Sequence, residues 1–265
     1  MTTRRLAGAF LRRDVRIMRS YRAALVGQLL GTLLFLASFA VVSPIISEDF
    51  GDRYGAGYLA FAAVGIAVTG ALLSALQAFS ESVREAQLEG TLEAVLMAPV
   101  RREAVVAAMG AYPVLAGTAA AGLTLAVAAG LAGGFDVHPV SVLLALVVSL
   151  AAFAALGLLA AAVVLVAKRG NPVATLIGMV GAVTAGAYAP VDTFPGWLQA
   201  VADVNPLTYA LDAWRSATLR GEGPGAVAGE LGVLGTVAVV VGPLAWWVLG
   251  RAIDVARRDG TLVSY

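Results

Sequence analysis

Side chains able to do chemistry are few in this chain and unevenly placed. Among 265 residues, 13% are charged, His138 is the single histidine, and cysteine is absent. Disulfides, thiol nucleophiles and thiolate-bound metals are thereby excluded, and one histidine makes neither a metal cage nor a triad. The densest polar stretch is residues 81–103, ESVREAQLEGTLEAVLMAPVRRE. Within it Glu85, Glu89 and Glu93 recur at i, i+4 and i+8, while Leu88, Leu92, Val95 and Leu96 form an apolar stripe at the same helical period. Carboxylates at that spacing repel mildly, by about a few tenths of a kcal/mol. A basic partner surface would reward such a row; the alternative is a solvated loop face. No G-x-x-x-x-G-K-[ST] occurs, and Lys168, the only lysine, stands outside any glycine-rich phosphate loop. The expectation is no catalytic, cofactor-binding or metal-binding residue in this chain.

A second group lies in residues 190–224, where Phe194, Trp197, Tyr209 and Trp214 alternate with Asp192, Asp203, Asp212, Arg215 and Arg220. Pro195, Pro206 and Pro224 delimit two pieces, roughly 196–204 and 207–220, each too short and too polar to span. They read as helices at or dipping into the membrane interface, with Trp and Tyr at headgroup level. Asp212 and Arg215, at i and i+3, read as a local ion pair worth under ~1 kcal/mol when exposed, with substrate contact as the alternative. A third, sparser set (Gln28, Thr32, Thr69, Ser74, Gln77 and Thr184) sits in apolar runs. Such residues either line a pathway or bond their own backbone or a neighbouring helix.

The elements that must position these residues are hydrophobic. The chain is 60% hydrophobic, with mean hydropathy +0.86, and its charged fraction is about half that of a soluble domain. Apolar runs of crossing length predict an all-α polytopic membrane protein with six spans, at about 23–42, 58–79, 104–133, 140–167, 173–189 and 226–249. Ser43-Pro44 is expected to end the first, with a loop over 44–57. Pro113 is expected to kink the third, Gly133-Gly134 to form a tight turn, and Gly242-Pro243 to break the sixth. Residues 4–22 place Leu6, Phe10, Ile17 and Tyr21 opposite Arg5, Arg12, Arg16 and Arg19, the pattern of an interfacial amphipathic helix. The arginine-rich lead-in is too long, and the following apolar run too close to spanning length, for a cleaved signal.

Charge sets the expected orientation. With the N-terminus cytoplasmic and six spans, inside segments hold 15 of the 18 basic residues, whereas the 17 acidic residues divide 8 inside and 9 outside. The bias is specific to cations, as the positive-inside rule requires. Residues 81–103 and both termini then face the cytoplasm, and residues 190–224 face outward.

No span carries a charge near its middle, so the relays of ion-coupled carriers are missing. Uphill transport would need energy from another polypeptide, received at a polar cytoplasmic segment. Three stretches on this six-span frame resemble the type-2 ABC exporter permeases, the membrane subunits of daunorubicin-resistance-type drug exporters and polysaccharide exporters. They are Glu89-Gly90-Thr91-Leu92-Glu93 with the following Met97-Ala98-Pro99-Val100-Arg101-Arg102, then Lys168-Arg169-Gly170-Asn171-Pro172, then Asn205-Pro206-Leu207-Thr208-Tyr209-Ala210-Leu211-Asp212 with Arg215. Asn171 departs from the aspartate commoner there.

The resemblance implies a coupling helix over 85–102 that seats in a cytoplasmic ATPase, carried by Glu85, Glu89, Gly90, Thr91, Leu92, Glu93, Leu96, Pro99 and Arg101. It implies an external gate at Asn205, Pro206, Tyr209, Asp212 and Arg215. The partners it implies are two ATPase subunits that bind ATP and Mg, a second permease copy, and the bilayer of a bacterial plasma membrane; no nucleic acid is expected. The function implied is export of an amphipathic small molecule between two paired permeases. The alternatives are export of a lipid-linked glycan or lipid, or a non-transporting receptor or scaffold; the uncharged spans disfavour an ion-coupled carrier.

Overall fold

The computed structural model describes residues 22–54, 57–97, 101–167 and 172–258, and these are helical with no strand. In order they form α1 (Arg22–Tyr54), α2 (Tyr58–Leu88), α3 (Leu92–Leu96), α4 (Arg102–Met109), α5 (Ala111–Leu131), α6 (Pro139–Ala167) and α7 (Pro172–Thr184). A 3-10 turn (Val191–Thr193) then leads to α8 (Gly196–Asp203), α9 (Pro206–Leu219) and α10 (Ala228–Arg258). The amphipathic segment expected over 4–22 lies outside the described residues but for Arg22. So do Pro99 and the basic turn at 168–171.

Four stretches are long and apolar enough to cross a membrane: Tyr58–Leu88, Arg102–Leu131, Pro139–Val166 and Ala228–Ala256. The expected first and fifth spans do not meet that measure. In α1 the apolar stretch among residues whose side chains are described is Leu33–Ile46, and most residues before it lie outside that set. The 13 residues of α7 reach about 20 Å at 1.5 Å per residue, short of a core about 30 Å thick. Prolines also act differently from expectation. Helix α1 continues through Pro44 to Tyr54, so the loop expected at 44–57 is largely helix, and α10 runs unbroken through Pro243. A proline removes one intrahelical hydrogen bond, and helices flanked by neighbours in a membrane tolerate that loss. The third span is instead interrupted at Gly110, three residues before Pro113. There the Phe79 ring of α2 occupies the position a side chain at 110 would take. The turn expected at Gly133-Gly134 is present, with φ of 82° and 112°, values that glycine adopts without strain.

Helix α2 is the hub, with α1, α4, α5, α6 and α9 all packed on it. Its alanines at 60, 62, 63, 67, 71, 75 and 78 are buried. Small side chains let helix backbones approach where the surroundings offer no hydrophobic drive to associate. At Gly157 of α6 a Cβ would stand 2.8 Å from the carbonyl oxygens of Ala75 and Leu76, so α2 and α6 cross there on bare backbone. Two large buried clusters result, beside a small one of Leu36, Ala63 and Ala128. One gathers Phe79, Val83, Leu92, Leu96, Val105, Leu165, Leu249 and Ile253 at the end carrying Arg84, Arg101, Arg102 and Arg251. The other gathers Val64, Leu72, Phe153, Leu207, Leu211, Trp214 and Leu234 toward the opposite end.

Candidate functional site

At the arginine-rich end, the helical stretch over 85–97, whose propensity is interrupted at Gly90, divides at that residue, so the i, i+4, i+8 carboxylates do not form one row on one helix. Glu85 belongs to the last turn of α2, and Glu89 caps that helix. Gly90 then takes φ +67°, the left-handed conformation that glycine supplies at helix ends. The Thr91 backbone N–H donates to the Ala86 carbonyl at 2.9 Å, which closes the turn. Helix α3 follows in a new direction and is only five residues long. A helix that short has no stability of its own, so burial must hold it. Leu92 is 0% and Leu96 7% exposed, both within the inner cluster with Val83, Val105, Ile253 and Ala256. Glu85, Glu89, Gly90, Thr91, Glu93, Met97 and Arg101 are exposed. The apolar stripe thus clamps α3 to the ends of α2, α4, α6 and α10, and the polar residues face away from the body.

Arg102 of α4 donates to Asp254 of α10 at 2.8 Å. Both side chains are partly exposed, where ion pairs contribute little. Asp254→Ala should therefore lower stability by less than about 1 kcal/mol. Thermal unfolding of the purified protein measures this; a larger loss would show that the pair is more than a surface contact.

At the opposite end, α8 and α9 form a re-entrant hairpin rather than a surface layer. Asn205 and Leu207, at its tip, share a cleft with Leu73, Leu76 and Phe153. Leu73 and Phe153 lie about 20 Å along α2 and α6 from their starts, well inside a core about 30 Å thick. The C-terminus of α9 returns to the surface, where the His138 N–H donates to the Ala217 carbonyl at 2.8 Å and Ser141 Oγ donates to the Glu222 carbonyl at 2.7 Å. Every residue from Ala213 to Leu219 is buried. Trp214, expected at headgroup level, instead donates from Nε1 to Ser149 Oγ, inside α6, at 3.3 Å.

Backbone at such depth must satisfy its own polar groups, and the polar residues of the hairpin do this. Asn205 caps α9 by accepting from the Leu207 N–H at 3.0 Å, and its amide donates to the Gly181 carbonyl at 2.8 Å and to Thr184 Oγ1 at 3.1 Å. Pro206 occupies the first turn of α9, where its missing N–H costs nothing. Tyr209 donates to the Asp203 carbonyl at 2.7 Å. Arg215 is 8% exposed and donates to the carbonyls of Gly186 and Ala187 at 2.9 and 3.3 Å. Its guanidinium lies 3.5 Å from the centroid of the Phe61 ring. The ion pair expected between Asp212 and Arg215 does not form. Arg215 is buried and secures the 185–190 turn, and Asp212 stays exposed at the rim of a cleft of about 220 Å³ that Asp192, Arg215 and Arg220 also line.

The residues considered as pathway lining divide. Gln28 and Thr32 fall in α1 with side chains outside the described set. Thr69 is buried with its hydroxyl unpartnered. Ser74 is half-buried, facing Pro113 and Gly117 of α5. Gln77 is half-buried. Thr184 bonds within the hairpin seat. Ser74 and Thr184 therefore serve contacts within one copy.

Gly65 and Phe61 were not foreseen from sequence, although they form the seat for Arg215 and the 185–190 turn. A Cβ at residue 65 would overlap the Ala187 carbonyl oxygen and lie 3.1 Å from the Arg215 guanidinium. A glycine midway along an apolar run is the only sequence signal for such an approach.

These features define a multi-pass membrane protein with no cluster of metal-ligating residues among the described residues, a polar platform at one end and a re-entrant hairpin at the other. The family model for the ABC-2 type transporter matches residues 4–219, and the chain belongs to that family. It is accordingly an ABC permease domain, a transport unit rather than a catalytic one, whose family works with an ABC ATPase subunit. No curated protein matches it.

Proposed function

We propose that this chain is the permease of an ATP-driven exporter in a bacterial plasma membrane, with both termini cytoplasmic. Two copies pair, each docks one ATPase subunit that binds ATP and Mg, and an amphipathic small molecule passes between them. The observation that carries the reading is the construction of α3. Its apolar residues Leu92 and Leu96 are sunk in the helix ends, while Glu89, Glu93 and Met97 are exposed beside it. A segment anchored on one side and polar on the other is suited to take a push from a partner and pass it to α2, α4 and α10. The cation bias of the sequence supports placing this end in the cytoplasm. On the other side of the membrane, the hairpin closes the external end of the route, with Asn205, Pro206, Tyr209 and Arg215 holding its shape and Asp212 at its rim.

Reversing the exposed charge tests the docking role. Glu89→Arg with Glu93→Arg should weaken association with the ATPase about tenfold or more, which corresponds to at least ~1.4 kcal/mol. Surface changes of this kind move fold stability by about 0.5 kcal/mol or less, so thermal unfolding should stay near that of the parent. Association and permease-stimulated ATPase activity both unchanged would sink the docking assignment.

A further inference from the structure

Between α2, α5, α6 and α9 lies a cavity of about 450 Å³, lined by residues of this chain alone. Its lining is carbon except for a few hydroxyls and one indole N–H, and these are already committed. Thr118 donates to the Val114 carbonyl at 2.8 Å and Thr218 to the Trp214 carbonyl at 2.6 Å. Ser149 donates to the Ala145 carbonyl and receives Trp214 Nε1. Water in a buried site needs two to four polar partners; these hydroxyls have spent their donors and offer only scattered acceptor lone pairs. The cavity is poor in partners for water and suits an apolar ligand.

Its shape narrows the choice. Along α5 the lining runs from Thr118 to Ala129, about 17 Å at 1.5 Å per residue. A cavity drawn out over that length suits an extended hydrocarbon chain. The slot is parallel to the spanning helices, as lipid tails are. Helix α5 packs extensively on α2 but not on α6, even though Ala121, Gly122 and Ala126 would allow a close approach. Gly122 and Ala126 are themselves exposed, so the slot opens sideways to the surroundings of the helix. For a multi-pass membrane protein those surroundings are hydrocarbon. Phe135 and Val137 line the end nearest the 132–138 turn.

We propose that the cavity is a lipid site that takes one acyl chain, with the ester and headgroup left at the interface beside the 132–138 turn. The chain fills the gap between α5 and α6 and so props α5 against the hub. This site does not depend on the docking role of α3 or on what the permease exports.

The permease with its ATPase, reconstituted in phosphatidylethanolamine–phosphatidylglycerol vesicles containing a phospholipid with a mid-chain diazirine, tests the assignment. Irradiation should place adducts on residues 118–129 and 142–150 in excess over those on the exposed Val239 and Val240 of α10. Gly122→Leu, whose side chain enters open space, should cut the cavity adducts about tenfold and leave the α10 adducts unchanged. Ala126→Val should cut them less, which separates filling of the slot from a folding defect. Cavity adducts no more abundant than those on α10, or insensitive to both substitutions, would overturn the proposal. Loss of the cavity adducts on adding tetraphenylphosphonium at constant lipid would assign the slot to a soluble amphiphile and overturn it as well.

Discussion

Gly65→Val should be among the most damaging single substitutions in this protein. Any Cβ at 65 overlaps the Ala187 carbonyl oxygen, and the obstacle is backbone rather than the end of a flexible side chain. Either α2 or the 185–190 turn must move. If the turn moves, the carbonyls of Gly186 and Ala187 leave Arg215, and a buried guanidinium loses its acceptors in a low-dielectric site, which is costly. Overpacking typically costs 1–3 kcal/mol; with the lost hydrogen bonds, the expected destabilisation is about 3 kcal/mol or more. Helix propensity works the other way, since replacing a helical glycine by alanine gains up to ~1 kcal/mol, so the gentler Gly65→Ala is the sharper test. Gly70 lies on the same helix with nothing within 4 Å of its Cβ position. Gly70→Ala should be neutral or stabilising where Gly65→Ala unfolds early. Thermal unfolding of the two variants in one detergent decides the matter, and equal midpoints would refute the close-approach account.

The second large effect is expected at Leu92. Its side chain is fully buried and, with Leu96 and the half-buried Val95, holds a five-residue helix in place. Truncation of a buried leucine costs about 2–5 kcal/mol. Here the cost falls on the docking of α3, because the cluster has many other members and α3 has few anchors. Leu92→Ala should therefore leave the spanning helices folded and free α3 from them. In the assembled transporter the expected signature is ATP hydrolysis that continues but no longer drives transport. Glu93→Ala, one residue away and exposed, should change stability by no more than about 0.5 kcal/mol. Proteoliposome transport and ATPase rates measured together separate the two. If Leu92→Ala transported at the parent's rate per ATP hydrolysed, the anchoring role would be refuted.

How much was legible in advance varies with the kind of residue. The helices α2, α6 and α10 were readable because continuous hydrophobicity over their length has no other stable outcome in a membrane. Proline was a poorer guide. Pro44 and Pro243 sit inside helices, and the break near Pro113 falls at Gly110, because neighbouring packing decides whether a lost hydrogen bond ends a helix. Periodicity over 85–97 placed Leu92, Val95 and Leu96 on the packed side, but Leu88, assigned to the same stripe, is 61% exposed. The glycine at 90 marked the interruption, but not that a left-handed residue there resets the helical phase on which a single carboxylate row depends.

The hairpin marks the boundary most clearly. Sequence determined that α8 and α9 are short helices bounded by proline, and that Asn205, Tyr209, Asp212 and Arg215 stand close together along the chain. It also determined, through family membership, that the protein is an ABC permease domain. Only the tertiary structure decided that Trp214 and Arg215 lie inside the protein, that Arg215 serves the 186–187 carbonyls instead of Asp212, and that Gly65 makes room for both. The physical reason is that local pattern records which side chains are polar, whereas their partners depend on which backbones come within reach, and residues 65, 187 and 215 become neighbours only when three separate segments pack.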